Sequence, residues 1–276
     1  MEIENWKLKI FMQKYFKIFW RVARMSWMVS ASYKVDLIIR YITSIVYLVT
    51  HFGVIYFLFY VSIGEKMIAG FGQFEFYFVF CLTEILWFIC FGIFFINSKN
   101  LIDRIIDGTL DYFLIRPVNR FFLVACSQFD VDQVVTAVWF GFLSCVLAFY
   151  FGRWEWLINN WWIVAILIGL AVILLFFIIW VASLVNFFWP KFWVLRQMTV
   201  NLSDISNFPR RVYPGWMQQI FLWLFPMLLM VSPIYDLLAN GLDNWFWLNA
   251  LLVLVAWLLI FLMLWREGIK KYCSAG

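Results

Sequence analysis

Long apolar runs separated by short polar ones govern the reading of this chain. Runs at 37–61, 74–96, 131–151, 161–188 and 245–265 approach the ~20 residues an α-helix needs to cross a hydrocarbon core. The ~10-residue alternation of a membrane β-barrel is not the pattern here. The chain therefore reads as an all-α membrane protein. Ahead of the first run, Leu8, Phe11, Met12, Tyr15, Phe16, Phe19 and Val22 recur at helical spacing, while Lys14, Lys17, Arg21 and Arg24 fall on the opposite face. Residues 6–34 thus predict an amphipathic helix lying in the membrane surface, cations on the headgroups and rings among the acyl chains. An ordinary basic tail is the alternative.

Two polar stretches interrupt the runs. Residues 97–121 form a compact charged island between the second and third runs. Residues 189–215 hold Pro190, Lys191, Arg196, Asn201, Asp204, Pro209, Arg210, Arg211 and Pro214, and each charge at a helix centre would cost ~2.5–3.5 kcal/mol on insertion. Two readings follow. Either 189–215 is a cytoplasmic loop and 216–238 crosses, or 190–207 crosses as a bundle-buried helix and 208–241 is a re-entrant element broken by prolines. Irregular backbone at that depth requires shelter by protein or a water-filled cavity. Both routes give about six crossings.

Composition agrees with this class: 66% of residues are hydrophobic, 23% aromatic and 13% charged, at a mean hydropathy of +0.89. Soluble globular and disordered chains do not look like this. The net charge of +5 matters through its placement. Lys7 to Lys34, then Lys99, Arg104, Arg116 and Arg120, then Arg266, Lys270 and Lys271 all fall on one side, which the positive-inside rule makes cytoplasmic. The expectation is a multi-pass protein of the cytoplasmic (inner or plasma) membrane with both termini inside. No cleavable signal is visible in the basic start.

Catalytic chemistry is missing. No G-x-x-x-x-G-K-[ST] loop cradles phosphates, no G-x-S-x-G elbow occurs, and one histidine without a Cys or carboxylate cluster predicts no metal site. The five scattered cysteines read as small packing residues. His51 and Glu84 fall near the middles of the first and second runs, at comparable depth. Ionisable groups there face a cavity or a partner, so they either line a path for cationic or amphiphilic cargo or lock two helices together. Arg196 and Asp204 pose the same choice.

The island reads Ile105-Ile106-Asp107-Gly108-Thr109-Leu110-Asp111-Tyr112-Phe113-Leu114-Ile115-Arg116-Pro117-Val118-Asn119. It resembles the cytoplasmic segment of type 2 ATP-binding-cassette (ABC-2) permeases, in a branch that reads approximately I-R-D-G-x-L-D-x-x-L-L-R-P-V-N. The later Phe208-Pro209, Tyr213-Pro214-Gly215-Trp216, Phe225-Pro226, Ser232-Pro233 and Leu237-Leu238 resemble the same branch's extracytoplasmic pattern. Ile106 and Thr109 depart from it, where Arg and Glu are common. The resemblance implies a single permease domain over 1–276 and favours a crossing at 190–207. It further implies an exporter whose ATP and Mg are held by a separate cytosolic ATPase dimer, with this chain carrying no cofactor and binding no nucleic acid. Its partner in the membrane would be a second permease subunit, in a heterodimer more in the family's habit than a homodimer. Coupling to the ATPase would fall to Ile106, Asp107, Gly108, Leu110, Asp111, Phe113, Leu114, Arg116, Pro117 and Asn119, with Leu110, Phe113 and Leu114 as a candidate apolar face. The competing classes are a proton-coupled transporter using Glu84 and His51, and a membrane scaffold or lipid-processing subunit.

Overall fold

The computed structural model describes residues 2–272 except 63–66, 69, 117, 190–191, 193, 240 and 242–243, and leaves the side chains of 2–12, 61–62, 203–205 and 244 undescribed. The described residues form helices and no strand, apart from an isolated bridge between Ile68 and Phe71. Five helical stretches are long and apolar enough to cross a membrane: Lys34–Tyr60, Gln73–Ile106, Val131–Tyr150, Trp154–Phe187 and Trp245–Lys271.

Helix α1 (Glu2–Ser32) leads directly into α2 (Lys34–Phe57). After the far-end turn, α3 (Gln73–Cys90) runs through a wide π turn at Phe91–Phe95 into α4 (Ile96–Ile106) without a break. The charged island therefore begins inside a helix, because Leu101, Ile102 and Ile105 continue the apolar stripe past Asn97 and Asn100. Gly108 ends it: at φ +69° it lets Thr109 N–H reach back to the Arg104 carbonyl and Asp107 N–H to that of Asp103, the left-handed stop that a β-carbon resists. Two short helices follow, α5 (Asp111–Leu114) and α6 (Arg120–Ala125), then α7 (Val131–Tyr150) and α8 (Trp154–Leu184). The sequence places a turn at 153–156 and opens the fourth run at 161. The helix instead starts at Trp154, since Gly152 at φ +68° lets Arg153 N–H bond the Ala148 carbonyl and closes the hairpin early.

The remainder is α9 (Val194–Asn201), 3-10 turns at Leu202–Asn207 and Arg210–Val212, α10 (Gly215–Gln219), a π turn at Ile220–Leu224, α11 (Leu228–Ala239) and α12 (Asn244–Lys271). Helix α9 packs on α8, and the 3-10 turn that follows it packs on α3 and α11. Arg196 lies 4.2 Å from the centre of the Phe95 ring in the π turn, and Phe208, just past the 3-10 turn, is 6.5 Å from that of Phe76.

Helix α3 is the centre of the bundle, enclosed by α7, α8 and α11. From Phe76 to Trp87 every side chain except Ile85 is buried. In lipid no hydrophobic force separates helices from solvent, so close approach and dispersion hold such a core together. Small residues allow it: α7 turns Ala137, Gly141, Ser144 and Ala148 inward, and Gly141 sits against Ile85. At Gly92 an added β-carbon would stand 2.9 Å from the backbone oxygen of Asp130.

Candidate functional site

The end of the bundle that carries residues 97–130 is polar, and hydrogen bonds join its parts. Asn97 is fully buried. Its amide donates to the carbonyls of Ile93 and Gln128, and its oxygen accepts from the Ser127 hydroxyl and the Gln128 N–H. Asn100 reaches the Gln128 side chain and Arg104 the Ser127 hydroxyl. Asparagine has donors and acceptors on one planar group, so a single side chain can close a loop that would otherwise leave buried backbone unpaired. The loop between α6 and α7 is thereby tied to α4.

Aromatic packing ties the same segment to the membrane helices. Phe121 of α6 lies between Phe176 and Trp180 of α8 and Phe261 and Trp265 of α12, at centroid distances of 6.0, 4.9, 4.9 and 5.1 Å. Leu110 is fully buried beside it, and Phe113 and Leu114 pack on the same cluster. The Arg104 guanidinium lies 3.9 Å from the centre of the Phe113 ring, with that of Arg116 at 5.6 Å. The candidate apolar face of Leu110, Phe113 and Leu114 is thus turned toward the protein's own bundle. What α5 presents outward is Tyr112 and Ile115, 67% and 79% exposed, flanked by Ile106, Asp107 and Arg116, all exposed. Asp111 is half-buried, and Asn119 caps α6 by accepting from Phe122 N–H. Pro117 lies outside the described residues.

Helix α1 meets this segment from the side. Tyr15 accepts a hydrogen bond from Asn119 N–H and packs edge-on against Phe122 at 4.7 Å, while Phe19 lies 4.6 Å from Phe129. Part of the face expected among acyl chains is therefore taken by protein. Phe16 and Trp20 remain exposed, as do Lys14, Lys17, Arg21 and Arg24. The side chains of Leu8, Phe11 and Met12 lie outside the described residues.

Arg40 joins α2 to the start of α7, within 2.8 Å of Asp36, 3.3 Å of Asp130 and 3.0 Å of Asp132. Burial first, and then the neighbouring Asp132 carboxylate, push Asp130 up to about 7. In the same loop burial raises the Cys126 thiol to about 11, so it stays protonated, as a packing cysteine does.

The mid-span residues sit apart from this end. Glu84 is 5% exposed and accepts from the Tyr47 hydroxyl at 3.0 Å. The His51 ring nitrogen Nδ1 lies 2.9 Å from the carbonyl of Tyr47 on its own helix, and its ring stacks on Phe80 at 5.0 Å. Tyr47, one turn before His51, meets Glu84 from α2. Arg196 is 7% exposed, with two guanidinium nitrogens unpartnered among the described residues. The side chain of Asp204 lies outside the described residues. Among those residues no group of His, Cys, Asp and Glu is arranged to hold a metal.

Asn97, Phe121, Tyr112, Ile115 and Gln128 are functional candidates that sequence reasoning passed over. Phe121 carried the one readable signal, a large ring adjoining the cationic Arg120 where a plain solvated loop would place a polar residue.

No curated protein and no solved structure matches the chain. Residues 42–276 match the family described as ABC-2 family transporter protein. That stretch takes in every membrane-long helix except the first turns of α2, together with the whole 97–130 segment, and the chain belongs to the ABC-2 transporter family.

Proposed function

We propose that this chain is the permease subunit of an ATP-driven exporter of an amphiphile, coupled to a cytosolic ATPase through the outward ridge at 106–116. Family membership supports a membrane subunit that is not itself catalytic and that works with an ABC ATPase. ATP and Mg belong to that partner. The observation that carries the coupling role is the two-sided build of this segment. Tyr112 and Ile115 stand out from the protein while Leu110 and Phe121 root it in α8 and α12, so a push on the ridge is delivered to membrane helices through packed rings. Exposed aromatic and aliphatic anchors beside mixed charge suit a hot spot for a protein partner.

In this reading the 97–130 end faces the cytosol with both termini, as its cations favour. The chain is one domain, and α1 rides on the inner leaflet with Lys14, Lys17, Arg21 and Arg24 toward anionic headgroups. A sixth crossing is supplied by 190–207. Arg196 beside Phe95 and Phe208 beside Phe76 bracket nineteen residues of the continuous helical stretch Gln73–Ile106, a rise of about 28 Å, close to the ~30 Å of a hydrocarbon core. The prolines and short turns of 208–241 then form the re-entrant element, sheltered by α3 and α8. The permease works as a dimer, with a second permease subunit as its partner.

Co-purification with the cytosolic ATPases of the same cell tests this. The double variant Tyr112→Ala, Ile115→Asp is expected to elute and melt as the wild type does but to lose ATPase capture at least about tenfold, since a hot-spot residue carries ~2 kcal/mol or more. Undiminished capture by the folded variant overturns the coupling assignment.

A further inference from the structure

A cavity of about 340 Å³ opens at mid-span between α2 and α3. Its polar groups come from Thr43, Ser44 and Tyr47 of α2, Glu84 of α3 and Asn207, and its wall includes Trp87 and two phenylalanines. Their hydrogen-bonding roles are uneven. Thr43 donates to the Ile39 carbonyl at 2.9 Å, Ser44 to the Arg40 carbonyl at 3.0 Å, and Tyr47 to Glu84 at 3.0 Å. A hydroxyl has one proton and two lone pairs. Once its proton is committed, what it offers a newcomer is acceptor. Glu84 adds a carboxylate, and the side-chain oxygen of Asn207 is buried with no partner among the described residues.

A cavity rich in acceptors, with a carboxyl group, with the Asn207 amide and the Trp87 indole N–H as donors, and walled by aromatic rings, discriminates by charge. An anion would meet the carboxylate. A polyhydroxyl ligand would find few donors for its oxygens. A cation with an apolar body fits both features, since its charge is drawn to the carboxylate and to the negative faces of the rings, and the low-dielectric setting strengthens both attractions. Entry from the bilayer is open as well, because Thr43 and Tyr47 of the lining are themselves exposed on α2.

We infer that this groove binds a lipophilic organic cation, of the substituted-ammonium or phosphonium class, with its charge at Glu84 and its apolar body against Trp87. As a statement about exported cargo this rests on the export reading above; as a statement about binding it does not.

The probe is tetraphenylphosphonium, with tetraphenylborate as an anion of the same shape. Equilibrium binding is measured on the purified permease in nanodiscs of zwitterionic lipid. Saturable phosphonium binding that the borate does not displace is expected. Glu84→Gln should weaken it about tenfold or more, as loss of a charged partner does, and Trp87→Leu about fivefold, through loss of the π face. Both variants are checked by elution and melting, and Trp87→Leu decides if Glu84→Gln does not fold. Absence of saturable binding, equal displacement by the borate, or unchanged affinity in a folded variant overturns the inference. ATPase capture through Tyr112 and Ile115 is read on the same preparation. Binding lost with capture intact rejects the cargo class alone, and capture lost with binding intact rejects the coupling role alone.

Discussion

Helices α2 and α3 lie side by side and look alike as sequences, yet they live in opposite surroundings. In the most apolar stretch of Gln73–Ile106, 56% of the residues are buried inside the protein, against 11% in that of Lys34–Tyr60. Only Ile55 of α2 is fully buried, while Ile38, Ile39, Ile42, Ile45 and Val46 are more than half exposed. Lipid tails are as apolar as leucine, so hydrophobicity alone does not say which helix is central. What separates them is side-chain size and polarity. The rings and cysteines of α3 meet the small residues of α7, whereas α2 touches its neighbours along one stripe, through Arg40 and Tyr47 and then through the rings of His51 and Phe52. A helix held along one stripe has freedom that a helix enclosed on all sides lacks.

The sharpest way to break this contrast is at the ring cluster that anchors the handle, the segment carrying the outward ridge at 106–116. Phe121→Ala removes a ring from contact with four others and is expected to cost about 3–5 kcal/mol, read as an earlier denaturant midpoint of the purified protein. A loss under 1 kcal/mol would mean that the handle is not rooted in α8 and α12. Where the π turn meets the start of α7, Gly92→Ala places a methyl 2.9 Å from a backbone oxygen and from a Val134 methyl. An overpacking cost of about 1–3 kcal/mol is expected, and a neutral result would show this contact to be looser than drawn. On α2, Ile42→Ala should stay within about 0.5 kcal/mol in the isolated permease, as substitutions away from packed groups do. A larger loss would show that another chain covers this face.

The all-helical class, the approximate span positions and the charged island were legible in the sequence, because length, apolarity and Lys/Arg placement are one-dimensional signals. The orientation of the handle was not. A four-residue helix such as Asp111–Leu114 makes barely one turn, so its spacing sets Leu110, Phe113 and Leu114 together without saying whether that face meets a partner or the bundle. Asn97 was equally hidden, since its partners at 127 and 128 lie thirty residues away. The Tyr47–Glu84 contact needed the register of two helices. Apolar periodicity selects His51 as readily as Tyr47, one turn away, and only packing decides between them.

The π turn at Phe91–Phe95 lies between the mid-span cavity, which its own Phe91 lines, and the Asn97 clamp. Such a turn holds one residue more than an α turn does. If that surplus residue is handed along the helix, the stretch it passes rotates by about 100° with hardly any change in length. The bundle thus contains a ready twist, able to re-aim side chains toward the bilayer without unwinding a span.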